Sequence, residues 1–290
     1  MRVVLKYFLP KKRISRSVGG DIMLFVFLVL TALLMAMPIM YIISNSLKSY
    51  NELFQFPPKI MVRNPTFDNY ADLFTLISSS WVPFSRYLLN TAMITVVGTV
   101  GNVVLGSMAA YAISKIQFPG YKLCFKLIVL SLMFSATVTA IPNYLIMAKL
   151  GWIDTYASLI VPALQSSLGI YLMKQFIGQI PDSFIEAARI DGAGDGRIYL
   201  SIIMPSVKPA WLTVIILSVQ SLWNTTGGTY IFSEQLKTLP VAMSQTVSSG
   251  IARAGASAAV SVIMLSVPVI TFIASQSQVI ETMTTSGMKE

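Results

Sequence analysis

Residues 22–43 read IMLFVFLVLTALLMAMPIMYII, and no side chain in that run can ionise as an acid or base near neutral pH. A helix rises about 1.5 Å per residue and a bilayer core is about 30 Å thick, so the run is long enough to cross. The same reading applies five more times along the chain. Residues 87–114, 127–148, 156–173, 209–232 and 254–280 all lack Asp, Glu, Lys and Arg. The third has Pro142 near its outer end, and the fifth is expected to unwind near Gly227-Gly228. No small-residue cleavage site follows the first run, which also exceeds the apolar part of a signal peptide, so it reads as a retained helix. The expectation is an all-α membrane protein with six transmembrane helices.

Composition agrees. Of 290 residues, 54% are hydrophobic and 11% charged, and the mean hydropathy is +0.69. Soluble domains carry about 25% charged residues, so an ordinary soluble enzyme, a disordered chain and a nucleic-acid-binding protein are all excluded. Histidine is absent and Cys124 is the lone cysteine. That removes disulfides, Cys/His zinc sites and Ser-His triads, and neither a catalytic nor a metal site is predicted.

The net charge of +9 comes from 21 Lys and Arg against 12 Asp and Glu. Basic residues favour cytoplasmic loops. With the N-terminus inside, fourteen of the 21 fall on the cytoplasmic side, among them Lys11, Lys12, Arg13, Lys122, Lys126 and Lys174. This orientation divides the chain into a cytoplasmic segment 1–21, a first span 22–43 and an extracytoplasmic segment 44–86. A core of five spans, 87–280, and a cytoplasmic tail, 281–290, complete it, with both termini cytoplasmic.

Ion-coupled carriers bury ionisable groups at mid-membrane. Six spans without one argue against ion coupling and fit a path for a neutral, hydroxylated solute. Asn90, Asn102, Asn143, Gln165, Gln220 and Asn224 are the uncharged polar residues of the spans. Hydrogen bonding between helices is the plainer role for each, and solute contact the sharper one. Asn90, Asn102, Trp223 and Asn224 are the candidate path residues, the last two offering an aromatic face beside an amide. Trp81 and Trp152 read as interfacial anchors. Gly98, Gly101 and Gly106 read as close helix packing.

Residues 174–208 form the longest predicted cytoplasmic connection, with a compact motif at 181–205. Pro181-Asp182 precedes Ser183-Phe184-Ile185-Glu186, a capping box in which Ser183 would cap a helix and Glu186 reach back. Asp191-Gly192 should break that helix. A second fits Asp195 to Met204, with Ile198, Ile202 and Ile203 on one side and Pro205 ending it. Two short helices at a glycine turn would make a knob under the membrane. It could insert into a partner's cleft, or its isoleucines could simply pack on the spans.

The knob resembles the EAA loop of ATP-binding-cassette importer permeases. Glu186-Ala187-Ala188, Gly192 and Ile202-Ile203-Met204-Pro205 stand at that loop's spacing, with Met204 where Leu is usual. Ile190-Asp191-Gly192-Ala193 is similar to the carbohydrate branch. Further likeness runs through Phe56-Pro57-Pro58, Asn64-Pro65-Thr66, Leu89-Asn90-Thr91, Phe118-Pro119-Gly120, Trp223-Asn224 and Thr238-Leu239-Pro240. The nearest likeness is to the second permease of maltose-type sugar transporters. The tail departs from that pattern at Gln276-Ser277-Gln278 and Ser286-Gly287-Met288-Lys289, so no C-terminal contact is carried over.

The resemblance implies a type I importer permease fold and a subunit that is not itself an enzyme, in a multi-pass, bacterial-type inner membrane protein. It implies coupling to an ATPase through Glu186, Ala187, Ala188, Asp191, Gly192, Ile202 and Pro205. The implied partners are a second related permease, an ATPase dimer, an extracytoplasmic solute-binding protein and membrane lipid, with no nucleic acid. No cofactor is expected on this chain. It has no Gly-Lys dipeptide and so no Walker A loop, and ATP and Mg would sit on the ATPase. The implied function is import of a sugar or oligosaccharide by alternating access. Another neutral solute or a sugar phosphate is the alternative, with a secondary carrier as the remaining class.

Overall fold

The computed structural model describes residues 18–78, 81–247 and 253–286. The N-terminal basic segment up to residue 17 and the tail 287–290 lie outside the described residues. Among the described residues the chain is helical without strands.

The first span is α1 (Val18–Ser46), apolar on every side and exposed along most of its length, for example at Met23, Phe25, Leu30 and Leu34. A helix hydrophobic all round belongs in lipid or against another apolar surface. Its broad contact within the chain is with the last helix, α14 (Ala254–Ser286). Segment 44–86 includes α2 (Tyr50–Leu53) and α3 (Asp68–Ser78). Asn69 on α3 donates to the carbonyls of Ser46 (2.9 Å) and Lys48 (2.7 Å), fastening it to the end of α1.

The organising element is α4 (Phe84–Tyr111), prolonged by a π-helical turn, Ala112–Ile116. It packs against α7 (Ala157–Leu164), α8 (Ser167–Gly178) and α12 (Lys208–Trp223). Its glycines make that approach possible. A Cβ on Gly98 would lie 2.7 Å from Leu222, and one on Gly101 would lie 2.2 Å from Leu164.

Among the described residues three helices are individually long and apolar enough to cross a membrane: Gly19–Ser46, Phe84–Ile116 and Ala254–Gln276. The expected third and fourth spans are broken instead of continuous. The third is α5 (Tyr121–Ser131) followed by α6 (Ala136–Lys149). The fourth is α7 followed by α8, interrupted at Gln165, whose extended backbone (φ −99°, ψ 90°) leaves the helix. Irregular backbone at membrane depth is tolerated where it is buried in protein or lines a cavity. The fifth span ends at Trp223, earlier than the expected Gly227-Gly228, and Gly227 (φ +61°) lies in the unwound stretch beyond. The chain then runs through α13 (Leu239–Val247) to α14.

Candidate functional site

Two sites stand out, a knob at one end of α4 and a string of cavities beside its middle.

The knob begins with α9 (Asp182–Ile190), which turns Ile185 inward (5% exposed) and leaves Phe184, Glu186, Ala187 and Ile190 (87%) exposed. The expected capping box is absent. Pro181 already holds the N-cap position, so Ser183 lies inside the first turn and no side chain caps the helix. A proline with φ of −59° is preset for helix entry, and with Pro181 as N-cap the helix starts two residues too early for Ser183 to cap it.

The glycine turn is as expected. Gly192 has φ +79°, a region where a Cβ is disfavoured. Its N–H donates to the carbonyl of Arg189 (3.0 Å), and that of Ala193 donates to Ala188 (2.9 Å). This pair of bonds closes the helix end as a Schellman motif.

The second arm differs from a plain helix ended by Pro205. One α-turn, α10 (Asp195–Ile198), widens into a π-helical turn, Tyr199–Ile203, and passes through Pro205 in α11 (Met204–Ser206). A proline ring collides with the carbonyl four residues earlier, and the wide turn relieves that collision. The arm then meets α12 at a 79° bend. Trp211 braces the corner by donating to the carbonyl of Met204 at 3.1 Å.

The isoleucines divide. Ile198 and Ile203 are fully buried with Tyr111, Met173, Ile177 and Val214, whereas Ile202 is half-buried beside a groove it shares with Phe184 and Pro181. Glu186, Ala187, Asp191, Gly192 and Pro205 share the exposed surface, and Ala188 is half-buried behind them.

The four path candidates separate into two pairs. Asn90 is a brace: its amide nitrogen donates to the carbonyls of Gln235 (2.8 Å) and Lys237 (2.9 Å), and its oxygen accepts from the Tyr156 hydroxyl (2.8 Å). Trp223 is buried against Leu239 and Met243, and its indole N–H donates to the carbonyl of Met264 at 3.1 Å, which joins α12 to α14. Neither is among the residues that line the three cavities described next.

Asn102 and Asn224 do line them. Asn102 bounds a cavity of about 310 Å³ together with Gln165, Ser166, Ser218 and Ser221. Its amide nitrogen donates to Ser218 Oγ (2.8 Å), while its buried carbonyl oxygen has no partner. Thr95 and Thr99, further along α4, carry buried hydroxyls that also lack one. A second cavity of about 340 Å³, walled by the unwound stretch 224–230, shares Ser221 with the first. A third, of about 440 Å³, shares Asn224 with the second. Ser218, Ser221 and Asn224 are three residues apart, so they fall along one side of the end of α12. None of the three cavities is lined by an ionisable carboxylate, lysine or arginine.

The sequence leaves Gln165 between helix hydrogen bonding and solute contact, and Ser166, Ser218 and Ser221 are not among its candidates. The helix break that gathers them carries no glycine or proline of its own. Ser166 caps α8 by accepting from the Gly169 N–H at 3.0 Å, so the N-terminal end of α8 faces the first cavity.

On the side reached by segments 44–86 and 233–253, Asp154 (φ +60°) accepts from the backbone N–H groups of Phe232 (2.9 Å) and Ser233 (2.8 Å) and from the Ser233 hydroxyl. Those bonds, the hydroxyl's foremost, hold its carboxyl below the ordinary carboxylate range.

Residues 102–280 match the model of the family described as binding-protein-dependent transport system inner membrane component. The trehalose transport system permease protein of Mycobacterium tuberculosis is 32% identical over 242 residues, 82% of this chain and 86% of that one. The sn-glycerol-3-phosphate transport system permease protein of Yersinia pestis is 30% identical over 207 residues, 71% of this chain and 74% of that one. A crystal structure of a bacterial ABC transporter that imports the acidic polysaccharide alginate contains a similar chain. It has a TM-score of 0.77 and 26% identity, covering 92% of this chain and 99% of that one.

Proposed function

This chain belongs to the family of binding-protein-dependent transport system inner membrane components, and from that premise we propose that it forms one half of a sugar or oligosaccharide path through the membrane. It is a membrane-embedded permease subunit of an importer. In the proposed assembly it pairs with a related permease, receives solute from an extracytoplasmic binding protein and is driven by an ATPase dimer that holds ATP and Mg. The chain crosses the inner membrane six times with both termini cytoplasmic, the two broken pairs α5–α6 and α7–α8 each counting as a span.

The observation that carries the sugar reading is the linked set of cavities. A hydroxylated solute needs donors and acceptors without net charge. The Asn102 amide, the serine hydroxyls at 218 and 221 and the Asn224 amide are such groups at these cavities. Alternating access would open this path to either side. The knob would pass the ATPase's movement upward through Glu186, Ala187, Ala188, Asp191, Gly192, Ile202 and Pro205, most of which lie exposed where a partner's groove could receive them.

A second reading, a phosphorylated or acidic sugar, has its own support. The N-terminal end of α8 faces the first cavity, and helix N-termini favour anions. The similar glycerol-3-phosphate and alginate systems carry anionic solutes by name. An acidic solute would be met by this helix end in cavities whose linings carry no charged side chain.

Uptake by the reconstituted complex, with binding protein outside and ATP inside, tests both readings. Saturable ATP-dependent uptake of a neutral sugar is expected, and capture of acidic sugars alone would favour the second reading. Uptake driven by a proton gradient without ATP would overturn both. Glu186→Lys, at an exposed position, should leave an inserted chain that no longer retains its ATPase. Normal retention and transport would reduce the knob to a structural loop.

A further inference from the structure

The knob is attached to the rest of the chain by more than its two ends. Lys115, on the π-helical turn that prolongs α4, sends its ammonium to the carbonyl of Ile180 (2.6 Å) and to Asp182 Oδ1 (2.6 Å). Ile180 and Asp182 flank Pro181, the entry to α9, so one cation grips the first turn of the knob from the side. The Lys115 side chain is 6% exposed while that of Asp182 is 70% exposed. The bond is therefore rooted in the body of the protein and reaches outward to the knob.

A second fastening lies across the knob. The hydroxyls of Ser107 on α4 and Tyr199 on the other arm are 2.7 Å apart. Asp195 Oδ1 accepts from Arg189 Nη2 at 3.1 Å and lies 3.5 Å from the Tyr111 hydroxyl. The rings of Tyr111 and Tyr199 meet at 5.9 Å. Both arms of the knob are thus pinned to α4. The covalent route to α12, by contrast, turns through 79° at Val207. Two π-helical turns, 112–116 and 199–203, lie at this junction, and such turns recur at functional sites.

We propose that Lys115 is a positioning residue for transport. It latches the entry of the knob to α4, so that movement imposed on the knob is delivered to α4 and, through Asn102 on the same helix, to the first cavity. This rests on the importer reading and adds the route by which the knob acts. α4 is the stiff member that carries the displacement, and the bend before α12 takes up the difference in direction. Lys115 meets neither solute nor ATPase in this scheme.

The test uses the whole reconstituted complex and measures solute imported per ATP hydrolysed. Lys115→Met keeps the packed stem and removes both bonds. The ratio should fall about fivefold or more, the low end of ordinary coupling between sites, while ATPase retention and the hydrolysis rate persist. A residue that mattered only for folding would lower the yield of complex and leave the ratio unchanged, and that result overturns the latch. If Lys115→Met does not assemble, Asp182→Ala decides, because it removes the exposed half of the pair and leaves Lys115 packed. A lowered ratio supports the latch, and an unchanged one overturns the ion pair's part in it, since only the bond to Ile180 then remains. Wild-type complex without ATP-dependent uptake would instead remove the importer reading beneath it. Wild-type uptake with unaltered variant ratios removes the latch alone.

Discussion

Asn90 and Asn102 lie on the same helix, α4, and both are buried, at 2% and 4% exposed. Every polar atom of the Asn90 amide is engaged, and together they tie the loop 235–237 and Tyr156 to the helix. Asn102, which lines the first cavity, spends its nitrogen on Ser218 and leaves its buried oxygen without a partner. A buried polar group normally finds all the partners it needs. The saturated asparagine is thus part of the frame. The unsaturated one borders the first cavity instead.

Three substitutions test the contrast between these groups. The largest effect is expected from Asn90→Ala, which strands two carbonyls and a tyrosine hydroxyl. At about 1–3 kcal/mol for a polar group left unsatisfied, the complex should lose roughly 3 kcal/mol, read as a lower unfolding temperature in detergent. A change inside about 0.5 kcal/mol, the range of a neutral surface substitution, would remove Asn90 from the frame.

Asn102→Leu should do the opposite. It loses one bond but also an oxygen that had none, so stability should stay within about 1 kcal/mol. Uptake at low solute concentration should drop about fivefold, the worth of one hydrogen bond of ~1 kcal/mol. Unaltered uptake would show that the cavity is not on the path.

The smallest effect concerns Asp154, a saturated group at the exposed surface. Its carboxyl is held below the ordinary range in the folded protein. Its stabilisation is therefore present above the unfolded-state pKa and is lost as pH falls through the folded one. Wild type should unfold at a slightly higher temperature than Asp154→Asn at neutral pH, and the gap should close only below about pH 4. A gap that stayed constant into strong acid would mean that the charge contributes nothing.

How far the residues themselves announced these features varied for physical reasons. The turn at Gly192 was legible because Asp-Gly after a helical stretch demands a backbone that other residues resist. The breaks inside the third and fourth apolar runs were not, because hydropathy measures side chains and says nothing of where the backbone leaves the helix. Trp223 and Asn224 looked like one unit because they are neighbours in sequence. On a helix, neighbours point about 100° apart. Trp223 therefore turned into α14 while Asn224, at the helix end, met the cavities. Nothing in the chain order of α4 could separate Asn90 from Asn102, since satisfaction depends on partners far along the chain, from Tyr156 to Lys237.

The pairing of α1 with α14 has a consequence for how the protein is made. A ribosome completes α1 long before α14 exists, so the first span enters the membrane without its principal partner from this chain. Helices in lipid can stand alone because their backbone bonds are internal, and they associate afterwards. The uniformly apolar surface of α1 suits such a wait, since no face of it would have to be shielded while the intervening helices are inserted. Helix insertion can thus proceed in order along the chain, but the contact between α1 and α14 forms only after α14 itself has been made.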